Sequence, residues 1–340
     1  MTNKTRKGLF WLSVLFFLII APPVILFSTG WRLTRDFKIK RIGGLFVAVP
    51  ETGTEIYLDG RLIQKTNFLQ SGVFVQDLTP GNYAIIAAKD GFWPWTKKTA
   101  VAESEVAENR VLMLPQNISG RALLNASFEN IFPLGDKILL LEERKNNNFT
   151  MTFYLPDKNE FLSPADKTTK SLLTGVRRLK TVSLQNDNQA DLFFDDRAVS
   201  INWNLNNRSV AARTVKKTVD DSLPALAHRI AFDRYRRARL WHDDQNLWVQ
   251  WLAETPLPYY LTEKKELVFK TKSLLKNAAF FPGRDDIIIV AIENGVFALE
   301  IDGRGTRNFQ PIYKGKSPVF ARLGDNLYIL DQGALSEIEL

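Results

Sequence analysis

Residues 280–305 read FFPGRDDIIIVAIENGVFALEIDGRG. A polar turn with paired acids leads into the apolar run Ile287–Ile292, and a second run, VFALEID (296–302), follows it. The Asp302-Gly303 and Arg304-Gly305 steps then read as an inter-strand turn. The same rhythm, a polar turn and then an apolar strand, recurs in GDKILLLEE, NQADLFFDD, DDQNLWVQWL and GDNLYIL. Taking Ile138, Leu192, Leu247, Ile287 and Leu327 as equivalent gives spacings of 54, 55, 40 and 40 residues. Second strands follow most of them, as in VSINWNL (199–205) and PYYLTE (258–263). Repeats of this length with several strands each are the mark of propeller blades, and the region from residue 120 to 340 is expected to hold about five divergent ones. SEIEL (336–340) is expected to share a blade with strands near 120–130 and so close the ring. The competing reading is a second β-sandwich or an irregular β domain, since no WD dipeptide is present.

Two stretches interrupt this rhythm. SPADKTTKSLL (163–173) opens on a Ser-Pro helix-start signal and reads as a short helix or an insertion. HRIAFDRYRRARLW (228–241) gathers Arg229, Arg234, Arg236, Arg237 and Arg239. Projected at about 100° per residue, its apolar side chains form no single stripe, so a membrane-surface helix is not supported. The cluster reads as solvated surface, with Arg234, Arg236 and Arg237 as speculative contacts for an anionic polymer.

The other end of the chain is of a different kind. The net charge is +8, but residues 1–44 hold eight basic residues against the single acid Asp36, which accounts for all but one of the excess charges. A nucleic-acid-binding domain would carry its own basic stripe. Here the charge flanks an uncharged stretch, LFWLSVLFFLIIAPPVILF (9–27), long enough to cross a bilayer. Leu9, Trp11, Phe16, Phe17, Pro22, Pro23 and Trp31 mark the expected anchor, with the tryptophans near its ends and the proline pair as a kink. The layout is a basic tail (1–7), a transmembrane helix or signal anchor (8–31) and a basic juxtamembrane linker (32–42). Ser28-Thr29-Gly30 is a poor cleavage site, so an uncleaved anchor is favoured over a signal peptide. Counting charges naively places the bulk inside. A short basic tail before a first apolar segment points the other way, and the bulk is expected outside the cytoplasm.

From Gly43 the pattern becomes short alternating strands. Leu45, Val47 and Val49 lie on one side of the first, with Phe46 and Ala48 on the other. EIYL (55–58) runs into Asp59-Gly60, a hairpin turn needing two positive φ values. Pro80-Gly81 suggests a type II turn with Gly81 in the left-handed position. YAIIAA (83–88) alternates, Asp90-Gly91 turns the chain again and VLML (111–114) ends the unit. GGLFVAVPETGTEIYLDG, then LTPGNYAIIAAKDGF, then LMLP resembles the PEGA domain over residues 43–115. The matching positions are Pro50, Gly53, Asp59, Gly60, Thr66, Leu78, Pro80, Gly81, Tyr83, Gly91 and Phe92. Lys65-Thr66-Asn67 departs from the Gly-x-Thr-Pro step usual in that family. The resemblance implies a small, non-catalytic β-sandwich, near a membrane or wall and outside the cytoplasm. Within FWPW (92–95), Trp93 and Trp95 are speculative binding residues, weighed against a core role for Phe92 and one tryptophan.

Chemistry is scarce. There are no cysteines and two histidines, His228 and His242. The acid pairs Asp195-Asp196, Asp220-Asp221, Asp243-Asp244 and Asp285-Asp286 fall in expected turns, and neighbours on a strand face opposite ways. His242-Asp243-Asp244 is a weak metal signal. No nucleophile elbow, metalloprotease helix or phosphate loop is present. The expectation is a mainly β, membrane-anchored envelope protein that displays its domains for binding, with no catalytic residue, cofactor or metal. A lipid bilayer and a cell-wall glycan or envelope protein are its expected partners, and nucleic acid is not. The alternatives are a polysaccharide-modifying hydrolase working in the propeller channel and a cytosolic membrane-tethered scaffold.

Overall fold

A computed structural model describes residues 3–33, 39–69, 71–216 and 228–340. Arg35, Lys38, Asp220 and Asp221 lie outside the described residues, as do the side chains of Lys4 and Arg229. The chain divides into two compact units, Met1–Met113 and Leu114 onward, with Arg304–Thr306 counted in the first.

The first unit begins with helix α1 (Asn3–Ser28), which runs through Pro22 and Pro23 without a break. Gly30 ends it in the left-handed region (φ 84°). The described ends of the expected linker 32–42 are strands, with β1 (Trp31–Leu33) antiparallel to β2 (Ile39–Arg41). Trp31 thus stands beyond the helix.

Seven strands follow: β3 (Gly43–Ala48), β4 (Glu55–Leu58), β5 (Arg61–Lys65), β6 (Gly72–Leu78), β7 (Gly81–Ala88), β8 (Trp95–Val101) and β9 (Val106–Arg110). They form two sheets, ordered β6-β3-β9 and β5-β4-β7-β8. Period-two alternation turns Leu45, Val47 and Val73 inward from the first sheet. Ile56, Leu58, Ile85, Ala87 and Trp95 answer from the second, all buried. Gly43 permits the closest approach: a Cβ there would lie 2.3 Å from the Ala102 carbonyl oxygen.

Asp59 and Gly60 take φ values of 49° and 78°, as the hairpin between β4 and β5 requires. Pro80-Gly81 does not make the expected turn. Strands β6 and β7 belong to different sheets, so the chain must cross the sandwich here, and Gly81 has no left-handed φ. The Tyr83 hydroxyl pins this corner by donating to the Thr79 carbonyl at 2.7 Å. The threonine kept in Lys65-Thr66-Asn67 has a clear role. Buried Thr66 accepts the Thr54 amide through Oγ1 (3.0 Å) and donates to the Glu51 carbonyl (2.9 Å), closing the Pro50–Thr54 loop.

The second unit is a ring of five four-stranded antiparallel blades. Strand β10 (Gly120–Asn125) precedes blade 1, which is β11 (Phe128–Leu134), β12 (Ile138–Lys145), β13 (Asn148–Leu155) and β14 (Glu160–Pro164). Helix α2 (Lys167–Leu173) and β15 (Thr174–Val176) lead to blade 2: β16 (Leu179–Asn186), β17 (Gln189–Phe194), β18 (Ala198–Asn204) and β19 (Ser209–Val215). Blade 3 is β20 (His228–Phe232), β21 (Ala238–His242), β22 (Asn246–Trp251) and β23 (Lys265–Lys270). Blade 4 is β24 (Leu275–Phe280), β25 (Ile287–Ile292), β26 (Gly295–Glu300) and β27 (Phe309–Lys314). Blade 5 is β28 (Val319–Leu323), β29 (Asn326–Asp331) and β30 (Ala334–Ile338), completed by β10 from the unit's start. The first strands β11, β16, β20, β24 and β28 each meet the next, and β28 meets β11, so the ring is closed. The core fills the gaps between facing blades, with separate clusters between blades 1 and 2, 3 and 4, and 5 and 1.

Three local expectations are corrected. Leu247 lies in the third strand of its blade, not the second, because the Arg-rich segment 228–242 supplies the first two as a hairpin. Residues 258–263 form a turn before β23, with Tyr260 and Leu261 buried in the blade core. Ser163 and Pro164 end β14, which pairs in parallel with β19, and the cap of α2 is Asp166, whose Oδ1 accepts the Thr169 amide at 2.6 Å.

Candidate functional site

Helix α1 exposes its apolar side chains on every side: Leu9, Trp11, Phe16 and Phe17 show 56%, 68%, 67% and 68% of their surfaces. Among the described residues it is the one helix long and apolar enough to cross a membrane, over Arg6–Ser28. Arg32 sits at its end, donating to the Phe27 carbonyl (2.6 Å), lying over the Phe27 ring and pairing with Asp77 at 3.3 Å. A cation there complements the negative end of the helix dipole and ties the helix to β6.

The two candidate tryptophans separate. Trp95 is 1% exposed and among the largest fully buried side chains of the chain, which removes it as a binding residue. Residues 95, 97, 99 and 101 of β8 all face inward. Pro94 interrupts the alternation, and Trp93 remains half-buried at the turn, with Lys89 over the neighbouring Phe92 ring at 4.5 Å. The remaining motif residues Pro50, Gly53 and Gly91 lie in loops, the two glycines at φ 75° and 79°.

The arginine candidates divide likewise. Arg234, Tyr235 and Arg236 are exposed in the turn between β20 and β21. Arg236 takes φ 53° and stacks over Phe232 at 4.1 Å. Arg237 is engaged by Asp285 at 3.0 Å and by buried Asp233 at 3.7 Å, so it holds blade 3 to blade 4. Arg239 is buried and clasps Gln250 Oε1 at 3.1 and 2.9 Å.

The acid pairs are structural. Asp195 meets Lys180 at 2.7 Å and Asp196 meets Arg197 at 2.9 Å. Asp286 takes Arg284 at 2.7 Å and the Tyr259 hydroxyl at 3.0 Å. Asp243 holds its own turn, accepting the amides of Gln245 (2.8 Å) and Asn246 (2.7 Å) and the Asn246 side chain. Burial, the largest single influence, pushes this carboxyl up. The hydrogen bonds from Asn246 and Gln245, with His242 nearby, outweigh it and hold the carboxyl below its usual range. That contribution is complete above the unfolded value near 3.9 and fades as pH falls through the lowered folded one. Asp243→Ala is expected to cost about 1–2 kcal/mol, read as a shift in the urea midpoint of the propeller. His242 is buried with Nδ1 against the Asp243 carbonyl at 2.9 Å, and among the described residues no three metal-ligating side chains converge.

One constellation had no linear signal. Lys276 on β24 donates to Ser317 Oγ at 3.1 Å and to the carbonyls of Glu293 and Pro318. Burial lowers its pKa against the opposing pull of Asp331 and Glu293. A serine beside such a lysine has the outline of a nucleophile and its base. All three ammonium donors are nevertheless satisfied, which favours the charged form, and Lys276 ties the turn of blade 4 to the strand that opens blade 5. The residues are 41 apart, beyond any motif.

The arrangement defines a propeller chain with an N-terminal apolar helix. No family model matches it, and no curated protein matches it. Solved structures similar to it include a luciferin-regenerating enzyme (8% identity, covering 66% of this chain and 96% of that one, TM-score 0.43). A gluconolactonase of Xanthomonas campestris (9%, 76% and 82%, 0.31) and the Cps50 (Swd1) β-propeller domain of Myceliophteria thermophila (9%, 76% and 80%, 0.26) are also similar. Enzymes stand among these neighbours beside a domain named only for its fold, and fold of itself assigns no activity.

Proposed function

We propose that the chain is a non-catalytic display scaffold of the cell envelope, held in a bilayer by α1. In this reading a PEGA-like sandwich and the propeller stand outside the cytoplasm to bind a wall glycan or envelope protein. The observation that carries it is the all-round exposure of α1, since an apolar stretch of 23 residues without protein cover is stable only in lipid. Against a channel hydrolase, the five innermost strands carry one acid among their described residues, Glu129, which faces Arg144 at 3.8 Å, whereas glycosidase chemistry needs two opposed carboxylates.

Carbonate extraction of intact cells is expected to leave the full chain in the membrane pellet, with the propeller degraded by external protease. Release by carbonate rejects the anchor, and protection from protease places the scaffold in the cytosol. Deleting residues 1–31 is expected to give a soluble product with a β-type circular dichroism spectrum; a helical or unfolded product contradicts the architecture.

A further inference from the structure

The end of α1 leads into ordered structure. Strands β1 and β2 pair Trp31 with Arg41 and Arg32 with Lys40, and the Gly30 carbonyl accepts the Ile42 amide at 3.0 Å. The hairpin therefore springs from the helix end and passes directly into β3. The basic side chains described on β1 and β2 fall into two kinds. Arg32 is spent on Phe27 and Asp77. Lys40 and Arg41 are exposed, and neither meets a carboxylate among the described residues. The Arg41 guanidinium stands over the Trp31 ring at 5.1 Å, which orients it while leaving its donors outward.

The level of this hairpin follows from helix geometry. Residues 6–28 rise about 35 Å at ~1.5 Å each, against a hydrocarbon layer of about 30 Å. With α1 spanning the bilayer, Trp31, three positions past the last helical residue, falls among the headgroups, where an indole ring is favoured. Arg41 and Lys40 then stand at the depth of lipid phosphates. A guanidinium fits phosphate with two parallel hydrogen bonds, and an ammonium adds a point charge.

We propose that the paired strands β1 and β2 bind the phosphates of anionic phospholipids, with Arg41 beside its cross-strand neighbour Trp31, and Lys40 on the opposite face of β2, each taking a separate headgroup, and Trp31 as the interfacial seat. This site rests on the reading that α1 lies in a bilayer. Because Arg32 and Asp77 join helix to sandwich, an occupied site fixes how the sandwich stands on the membrane, so the first unit acts as a rigid stand.

The test is native mass spectrometry of the full-length protein in detergent, offered equal amounts of phosphatidylglycerol and phosphatidylcholine. Each basic side chain near the surface contributes about 1 kcal/mol, roughly fivefold, so Lys40 and Arg41 together are expected to raise the retention of anionic over neutral lipid about 30-fold. The Lys40→Gln/Arg41→Gln double variant is expected to lose that share, leaving only the preference set by the other basic residues that flank the helix. A charge-matched Lys137→Gln/Lys158→Gln variant, altered at exposed propeller positions, is expected to keep it. Excess inorganic phosphate is expected to leave the retained lipid in place. No preference in the wild type, a preference undiminished by the double substitution, or displacement of lipid by phosphate alone overturns the proposal. Carbonate extraction separates the two levels of failure: a wild-type chain that never integrates refutes the anchor, while an integrated chain indifferent to lipid charge refutes only this site.

Discussion

Deleting residues 333–340 is expected to lower the unfolding temperature of the propeller sharply. Among the described residues strand β30 is the only ladder partner of β10, and it also pairs with β29, so it alone carries the first strand of the unit into the last blade, while β28 meets β11 at the inner seam. Its Leu335 and Ile338 are 0% and 4% exposed, and their burial accounts for about 3–6 kcal/mol at the usual 1.5–3 per large apolar side chain. The fit is close at Gly120, where a Cβ would come within 2.5 Å of Ile338 Cδ1. Without β30, β10 has an unpaired ladder and β29 becomes an exposed, apolar edge prone to association. For a unit of this size each 1 kcal/mol lowers Tm by about 2–4 °C, so the loss is ~6–24 °C before any ring-opening effect. Differential scanning calorimetry of the full chain reads it directly. Leu335→Ala is the milder companion, at about 2–5 kcal/mol. A deletion variant that unfolds at the wild-type temperature would mean that the ring is not held closed by this strand.

The ring was visible in the sequence wherever a polar turn preceded a long apolar second strand, as in β12, β17, β25 and β29. It was obscured in blade 3 for a physical reason. Strand β21, ARLWH, is buried throughout, yet its Arg239 donates to Gln250 Oε1, so burial there leaves no run of apolar letters. The stronger pattern of β22 then took its place and distorted the spacing. Local turn chemistry was reliable where the turn closes a hairpin, as at Asp59-Gly60, and failed at Pro80-Gly81, where the chain changes sheets. No local signal distinguishes these two cases, because the difference lies in which distant strand each neighbour joins. The pairing of β1 with β2 was hidden for a similar reason: five basic residues around one acid read as a basic juxtamembrane linker, although Trp31–Leu33 and Ile39–Arg41 pair as strands.

The candidate sites were less legible than the fold. Every acid pair was correctly placed in a turn among the described residues, and Asp196, Asp243 and Asp286 find partners close in sequence, yet Lys180 for Asp195 and Arg237 for Asp285 come from another strand or blade. The Lys276–Ser317 contact likewise exists only because two blades meet. A binding surface on a propeller is made by juxtaposed turns, and spacing along the chain carries no record of it.

Trp95→Ala is expected to unfold the sandwich while leaving the propeller folded. The indole lies opposite Ala87 on β7 and is 1% exposed, so its removal empties the largest space in a small core. Truncating a buried Trp costs about 3–5 kcal/mol, because the surrounding side chains relax only partly into the cavity. A domain of some 70 residues holds only about 4–10 kcal/mol in total, by the usual 0.05–0.15 per residue. The loss is therefore a large part of its stability. Limited proteolysis of the full chain is expected to show rapid cutting within residues 43–113 and a resistant fragment from the propeller. Trp93→Ala, at a half-buried position beyond the alternation of β8, is expected to change stability by less than about 1 kcal/mol, within the range of surface substitutions. The pair also separates structure from recognition: a partner that contacts this turn loses affinity with Trp93→Ala while the sandwich stays folded. If Trp95→Ala resisted protease like the wild type, the inward alternation of β8, and with it the packing of the two sheets, would be wrong.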